Sequence, residues 1–243
     1  MEVAATCRAK RRRKGASVTT TMVLVHGAFT GAWEWEPVVE RLRAQSIVAT
    51  TVDLTTREQG GSLHADEELV RDVVSAAGGR VVLVGHSYAG AVITGASAGN
   101  AKVSDLVYVA AALPDEGQSV TASRGAPPTG AVPGELIAVD IDGTIQRLFN
   151  DASPEQVAWA RPRLTPFVRH AMDELPSGLG WKEHRVAYVL CTQDVAIPLE
   201  VQQRFAERAR ERFTLDAGHS PMVTQPDELT AILAAIARRP DER

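Results

Sequence analysis

Ser87 follows an apolar run and is flanked by small residues, in the stretch VVLVGHSYAG at 81 to 90. A hydroxyl is a weak nucleophile until a base takes its proton, and a serine at a sharp strand-to-helix corner is one way of presenting it. Such a corner is strained, and side chains two positions to either side would clash. Gly85 stands two before Ser87, Ala89 two after and Gly90 next, so the stretch departs from strict Gly-x-Ser-x-Gly by one methyl group.

The base is expected to be a histidine. Of the 6 in the chain, His219 in DAGHSPMVTQP follows the last strand signal and precedes the last helix signal, on the same sheet edge as Ser87. His86 adjoins Ser87 but points away from it and reads as a packing and hydrogen-bonding residue; His26 reads as a brace for the first loop. His64, His170 and His184 read as surface or structural residues, with His170 near enough to a substrate to be a contact. A third group must orient the imidazole and stabilise its charged form. Asp194, just beyond RVAYVLCTQ, is the preferred acid and Asp115 in ALPDEG is the alternative; Asp216 lies too near His219 in sequence. Asp53 either shapes the pocket or is structural.

Acyl transfer also needs donors for a developing oxyanion. The glycines of HGAFTGAW let backbone amides face a reaction centre, and the amides of Ala28 and Tyr88 are the expected pair. Phe29, Trp33, Leu113, Trp159 and Met222, and with them Tyr88, Leu148, Phe149 and Phe167, are candidate walls of a pocket for a small apolar or aromatic acyl group, with core packing as the alternative for each.

These residues need a scaffold that delivers them to one rim. Six strand signals (MVLV, SIVATTVDL, RVVLVG, DLVYVAAALP, RVAYVLCTQD and ERFTLD) alternate with amphipathic or small-residue helical stretches. That alternation predicts an α/β fold, a doubly wound and mostly parallel six-stranded sheet with helices on both faces. Between residues 114 and 183 it breaks at GAPPTGAVPG and resumes with two helical pieces, DGTIQRLFN and SPEQVAWARPRL. A helical cap inserted after the fourth strand is the expectation, within one domain spanning 22–243.

Composition narrows the function. Hydrophobic residues make up 44% and charged residues 23%, which supports a sizeable core. With a net charge of -4 and basic residues clustered only in the leader 1–21, no basic face is expected for nucleic acid. That leader, read as disordered, lacks the apolar segment of a secretory signal and faintly resembles a transit peptide. No run approaches the roughly 18 apolar residues of a membrane span. Cys7 and Cys191 offer neither a disulfide framework nor metal-ligand spacing, which fits a reducing, cytoplasmic setting with no metal. Oligomeric state is not legible.

From Met22 to about Arg238 the chain resembles the α/β-hydrolase superfamily, and within it the small branch of plant methyl esterases, related bacterial esterases and hydroxynitrile lyases. The likeness rests on VLVHGAFTGAWEW, VVLVGHSYAG, YVLCTQDVAIP and AGHSPMVTQPDEL, and on the chain order serine, acid, histidine. It implies catalytic Ser87, Asp194 and His219, oxyanion amides at Ala28 and Tyr88, no cofactor, and an apolar pocket roofed by helices. It also implies that the two leading antiparallel strands of larger relatives are missing. Lyases of this branch carry Thr after the first-strand histidine and Lys after the catalytic one; Gly27 and Ser220 occupy those slots here. The expected activity is therefore hydrolysis of a small-molecule ester. Lactone, thioester or carbon–carbon cleavage, a ligand receptor with little turnover, and a cofactor-free oxygenase are the alternatives.

Overall fold

A computed structural model describes residues 20–240. Its elements begin with β1 (Thr20–Val25), α1 (Glu36–Ala44), β2 (Val48–Val52), α2 (Leu63–Ala76), β3 (Arg80–His86), α3 (Ala89–Ser97) and β4 (Val103–Val109). There follow α4 (Val120–Ser123), β5 (Leu136–Ile137), α5 (Ile141–Leu148), α6 (Pro154–Ala160) and β6 (Phe167–Val168). The chain closes with β7 (Arg185–Cys191), α7 (Leu199–Ala206), β8 (Glu211–Leu215), α8 (Pro221–Thr224) and α9 (Pro226–Ala237).

Six strands form one sheet in the order β2-β1-β3-β4-β7-β8, and every neighbouring pair is parallel. The chain winds outward from β1 to β2, then returns past β1 to lay down β3. That reversal sets the loops leaving β1 and β3 side by side, which is where open α/β sheets bind their ligands.

The strands are continuous apolar runs because both faces of the sheet are covered. Side chains alternate between faces. Val23, Val25, Val81, Leu83, Leu106, Tyr108, Val186 and Tyr188 pack with α2, α3 and α7. Met22, Leu24, Val82, Val84, Val107, Val109, Ala187 and Val189 pack with α1 and α9. All nine residues of α3 are buried, and its Ala and Gly content lets it lie close against β3 and β4.

β1 starts at Thr20, inside the span expected to be leader. The hydroxyl of Thr21 donates to the Gly78 carbonyl at 2.8 Å, and Thr20 and Thr21 pair with Arg80 and Val81, so polar residues extend the strand beyond its apolar part. The rest of the basic leader, Cys7 included, lies outside the described residues.

The connection from β4 to β7 holds α5 and α6, matching the two helical stretches read between residues 114 and 183. Asp140 caps α5, and Ser153 with Gln156 closes a capping box on α6. Ile145, Phe149 and Ala160 from this connection join the α1/α9 side of the core, while Val120, Phe167 and Ala171 join the other. The segment is thus packed onto the sheet edge by its own apolar residues. Among the described residues no helix is long and apolar enough to cross a membrane.

Candidate active site

β3 ends at His86, and Ser87 turns the chain with φ of 54°, a left-handed value unusual for a residue with a side chain. The surroundings hold it there. The Ser87 amide donates to the Val109 carbonyl at 3.3 Å, and its carbonyl accepts from Ala112 at 3.0 Å and Gly90 at 3.2 Å. A Cβ on Gly85 would lie 2.8 Å from the Ala89 carbonyl oxygen, and one on Gly90 would lie 1.9 Å from that of Ala112. The two glycines therefore do separate jobs: Gly85 admits the first turn of α3, and Gly90 lets α3 pass the segment after β4. Ser87 is half-buried between fully buried neighbours.

The loop after β1 lies against this corner. A Cβ on Gly27 would fall 3.0 Å from both Ser87 Cβ and His86 Nδ1, so only glycine lets the loop come this close. Phe29 has φ of 64°, and the Thr30 hydroxyl donates to the Gly27 carbonyl at 3.1 Å. His26 braces the loop as expected. Its Nε2 accepts from the Leu54 amide at 3.0 Å, which leaves Nδ1 to donate to the Gly27 carbonyl at 2.7 Å. Burial holds this imidazole below its ordinary pKa and so keeps it neutral. Among the described residues, neither the Ala28 nor the Tyr88 amide donates a hydrogen bond.

His219 sits between β8 and α8 with no exposed side-chain surface, and its Nδ1 lies 2.7 Å from Asp194 Oδ2. Nδ1 is the donor there, so Nε2 carries the free lone pair. Nε2 is buried, has no partner among the described residues, and makes no hydrogen bond to the Ser87 hydroxyl. Such bonds are often long before substrate arrives. The His219 ring is 4.7 Å from that of His86, the residue just before Ser87.

Asp194 is held by several donors. Oδ1 accepts from the amides of Ala196 at 2.7 Å and Ile197 at 2.9 Å, and Oδ2 accepts from Gln202 Nε2 at 3.1 Å as well as from His219. Burial pushes its carboxyl up, but the His219 imidazole and these hydrogen bonds outweigh burial and leave it below the usual carboxylate range. Asp115, the alternative acid, instead pairs with Arg208 at 3.3 Å and caps the Glu116 amide at the surface. Asp216 accepts from Thr192 and Gln193, and Asp53 from the Ala32 amide and Arg57.

His64, His170 and His184 each bond a backbone carbonyl, of Leu175, Ala131 and Ser97 respectively. Among the candidate pocket residues, Phe29, Trp33 and Trp159 are half-buried. Phe29 packs on Phe167 at 5.4 Å, and Trp33 packs edge-on to Trp159 at 5.2 Å. Leu113 and Met222 have no exposed surface, and they belong to different sides of the core. Trp33 also borders a groove of about 680 Å³ with Ala32, Glu36, Asp53 and Arg57; neither Ser87 nor His219 is in its walls.

One buried residue at this site escaped the sequence. Glu34, in the short turn between Trp33 and Trp35, is fully buried, and its Oε1 meets His86 Nδ1 at 2.9 Å and the Gly27 amide at 3.2 Å. An acid between two tryptophans before an amphipathic helix reads as a solvated residue, and its partner is 52 positions away. Among the described residues no group of three or more His, Cys, Asp or Glu is arranged to hold a metal ion.

A parallel sheet with a strained serine at its switch point and a buried imidazole–carboxylate pair beside it defines a class of α/β enzymes. Residues 22–232 match the model of the alpha/beta hydrolase family, and the chain belongs to that family. It is similar to methylesterase 7 of Arabidopsis thaliana, 28% identical over 254 residues that cover 88% of this chain and 95% of the relative. It is also similar to a carbendazim hydrolyzing esterase of Nocardioides sp. (strain SG-4G), 29% identical over 238 residues, with 88% and 98% covered. Among solved structures it resembles polyneuridine aldehyde esterase (TM-score 0.76, 22% identity, 90% of this chain and 99% of that one). A pyrethroid hydrolase from Sphingobium faniae JZ-2 is equally similar (TM-score 0.76, 22% identity, 92% and 99%). At that identity the structures speak to the fold alone.

Proposed function

We propose that this protein is a cytoplasmic serine hydrolase that cleaves a small hydrophobic or aromatic carboxylic ester through an acyl-enzyme, without a cofactor. His219 Nε2 takes the proton of Ser87 as its oxygen attacks the ester carbonyl. The amides of Ala28 and Tyr88 receive the oxyanion, and Asp194 fixes the tautomer of His219 and stabilises the imidazolium. The proton then goes to the departing alcohol, and water repeats the sequence on the acyl-enzyme. Oxyanion donors of this kind are worth about 2.7–4 kcal/mol each. The helical segment between β4 and β7 acts as a cap, with Phe29, Trp33 and Trp159 as pocket walls and Leu113 and Met222 behind them.

The observation that carries this reading is the buried Asp194–His219 bond of 2.7 Å, which leaves Nε2 without a partner among the described residues on a ring 4.7 Å from that of His86, the residue before Ser87. Esterase names among the relatives support an ester as the substrate. The test is turnover of short aryl esters together with labelling by a serine-directed phosphonate. Ser87→Ala should lose several orders of magnitude in rate, as loss of a triad nucleophile does, and the phosphonate adduct should map to Ser87. Parent-level hydrolysis by Ser87→Ala would overturn the assignment. A single burst of product followed by silence would point to a receptor instead.

A further inference from the structure

The His86 imidazole lies between two acceptors. Nδ1 is 2.9 Å from Glu34 Oε1, and Nε2 is 2.9 Å from the backbone carbonyl oxygen of His219. A carbonyl oxygen only accepts, so Nε2 must carry a proton. With that proton on Nε2, a neutral imidazole would set a bare lone pair at Nδ1 against Glu34 Oε1, so the 2.9 Å contact calls for a second proton, which a carboxylate Glu34 leaves on Nδ1. A neutral imidazole brings one proton; the chain Glu34–His86–His219 needs two.

We infer that Glu34 and His86 form a buried carboxylate–imidazolium pair whose second N–H grips the carbonyl of His219, making both of them positioning residues for the base. This rests on the reading of His219 as that base. The arrangement has a mechanical logic. His219 lies on a loop between β8 and α8, and Asp194 fixes only its ring. The His86 bond fixes the backbone from which the ring hangs. Glu34 also holds the Gly27 amide, next to Ala28, so one carboxylate sets both the base and the loop that offers the oxyanion amide.

The charges around the pair favour this state. His86 faces Glu34, Asp194 and the His219 ring; Glu34 faces His86 and the neutral His26. Burial alone would push the His86 pKa down and the Glu34 pKa up, and their mutual attraction reverses both.

Two variants separate positioning from stability. His86→Phe leaves Glu34 buried and unpaired, so it should lose stability, and it should also lower kcat on an aryl ester roughly 10- to 100-fold, as small misplacements of catalytic groups do. KM should stay within about twofold, since ground-state binding is untouched. In Glu34→Leu/His86→Phe the unpaired charge is gone, so stability should recover while kcat stays low. A double variant that regains parent kcat along with its stability would reduce the pair to packing and overturn the inference.

The unmodified protein gives a reading that needs no variant. Nitrogen-15 NMR near neutral pH should find both His86 ring nitrogens protonated and slow to exchange; a singly protonated His86 would refute the ion pair even if neither variant folds. His219→Ala keeps the two claims apart. If it retains turnover, the base assignment falls while the His86 protonation result stands. If it abolishes turnover and the double variant works at the parent rate, only the positioning role falls.

Discussion

The carbonyl oxygen of Ala112 lies 1.9 Å from the point a methyl group on Gly90 would occupy. Ala112 is also the residue whose amide holds the Ser87 carbonyl at 3.0 Å, so the space that α3 needs and the bond that shapes the corner belong to one residue. Gly90→Ala is expected to destabilise the protein by about 1–3 kcal/mol, the usual cost of overpacking a filled core, and to slow phosphonate labelling at Ser87. Urea titration checks the first effect, and an unchanged midpoint would contradict the described geometry.

The two acids weighed for the site make opposite predictions. Asp194→Asn removes the acceptor that fixes the His219 tautomer, and the rate should fall on the order of 10⁴-fold, as it does when such an acid becomes an amide. Asp115→Asn touches a surface pair with Arg208 and a cap on the Glu116 amide that an asparagine oxygen can keep, and it should leave both rate and stability within error. Equal losses from the two would defeat the assignment of Asp194.

Stability should respond to pH at two points on the acid side. The Asp194 carboxyl is depressed below its ordinary 3.8, so its contribution is present above that value and disappears as pH falls through its lower folded value. His26 is buried and depressed below 6.5, so the unfolded chain takes up a proton first and stability declines as pH drops below 6.5 toward the folded value. His86 works in the other direction: its raised pKa gives stability that is complete below 6.5 and is lost as pH rises through the folded value. In His26→Gln the decline between about pH 6.5 and 5 should flatten. Urea midpoints for parent and variant over that window would settle it, and identical slopes would count against the account of His26.

Tyr88 uses its backbone and side chain for different purposes. Its hydroxyl donates to Asp66 Oδ2 at 3.1 Å, and Asp66 also accepts from the amides and hydroxyls of Thr55 and Thr56. Tyr88→Phe removes one bond from a carboxylate that keeps its others, so about 1.5–3 kcal/mol of stability should be lost, the range for hydrogen bonds to charged groups. A loss several times larger in calorimetry would mean that the ring, 5.0 Å from Phe167, has repacked.

What could be read from the chain, and what could not, follows from how local each signal is. The Ser87 corner was legible because an apolar run meeting Gly85 and Gly90 says strand, turn and helix within ten residues, and that is the structure found. The meeting of His219 and Asp194 was legible because topology puts the ends of β7 and β8 on the same edge as that of β3. Which of Asp194 and Asp115 meets His219 needed coordinates, since both follow a strand and only side-chain direction separates them. Glu34 was illegible because nothing near it in sequence announces a buried acid. Thr20 and Thr21 were missed because they extend β1 through backbone pairing rather than through side-chain burial.

The loop after β1 is also tied from above. The Thr165 amide donates to the Phe29 carbonyl at 3.0 Å, and the Thr165 hydroxyl donates to the Thr30 backbone carbonyl at 3.1 Å. The segment around Thr165 is therefore tied by two bonds to the strand-end turn that holds Ala28. On the proposed mechanism, a shift of the Thr165 segment would carry with it the turn whose amide receives the negative charge, so the two would be geared together.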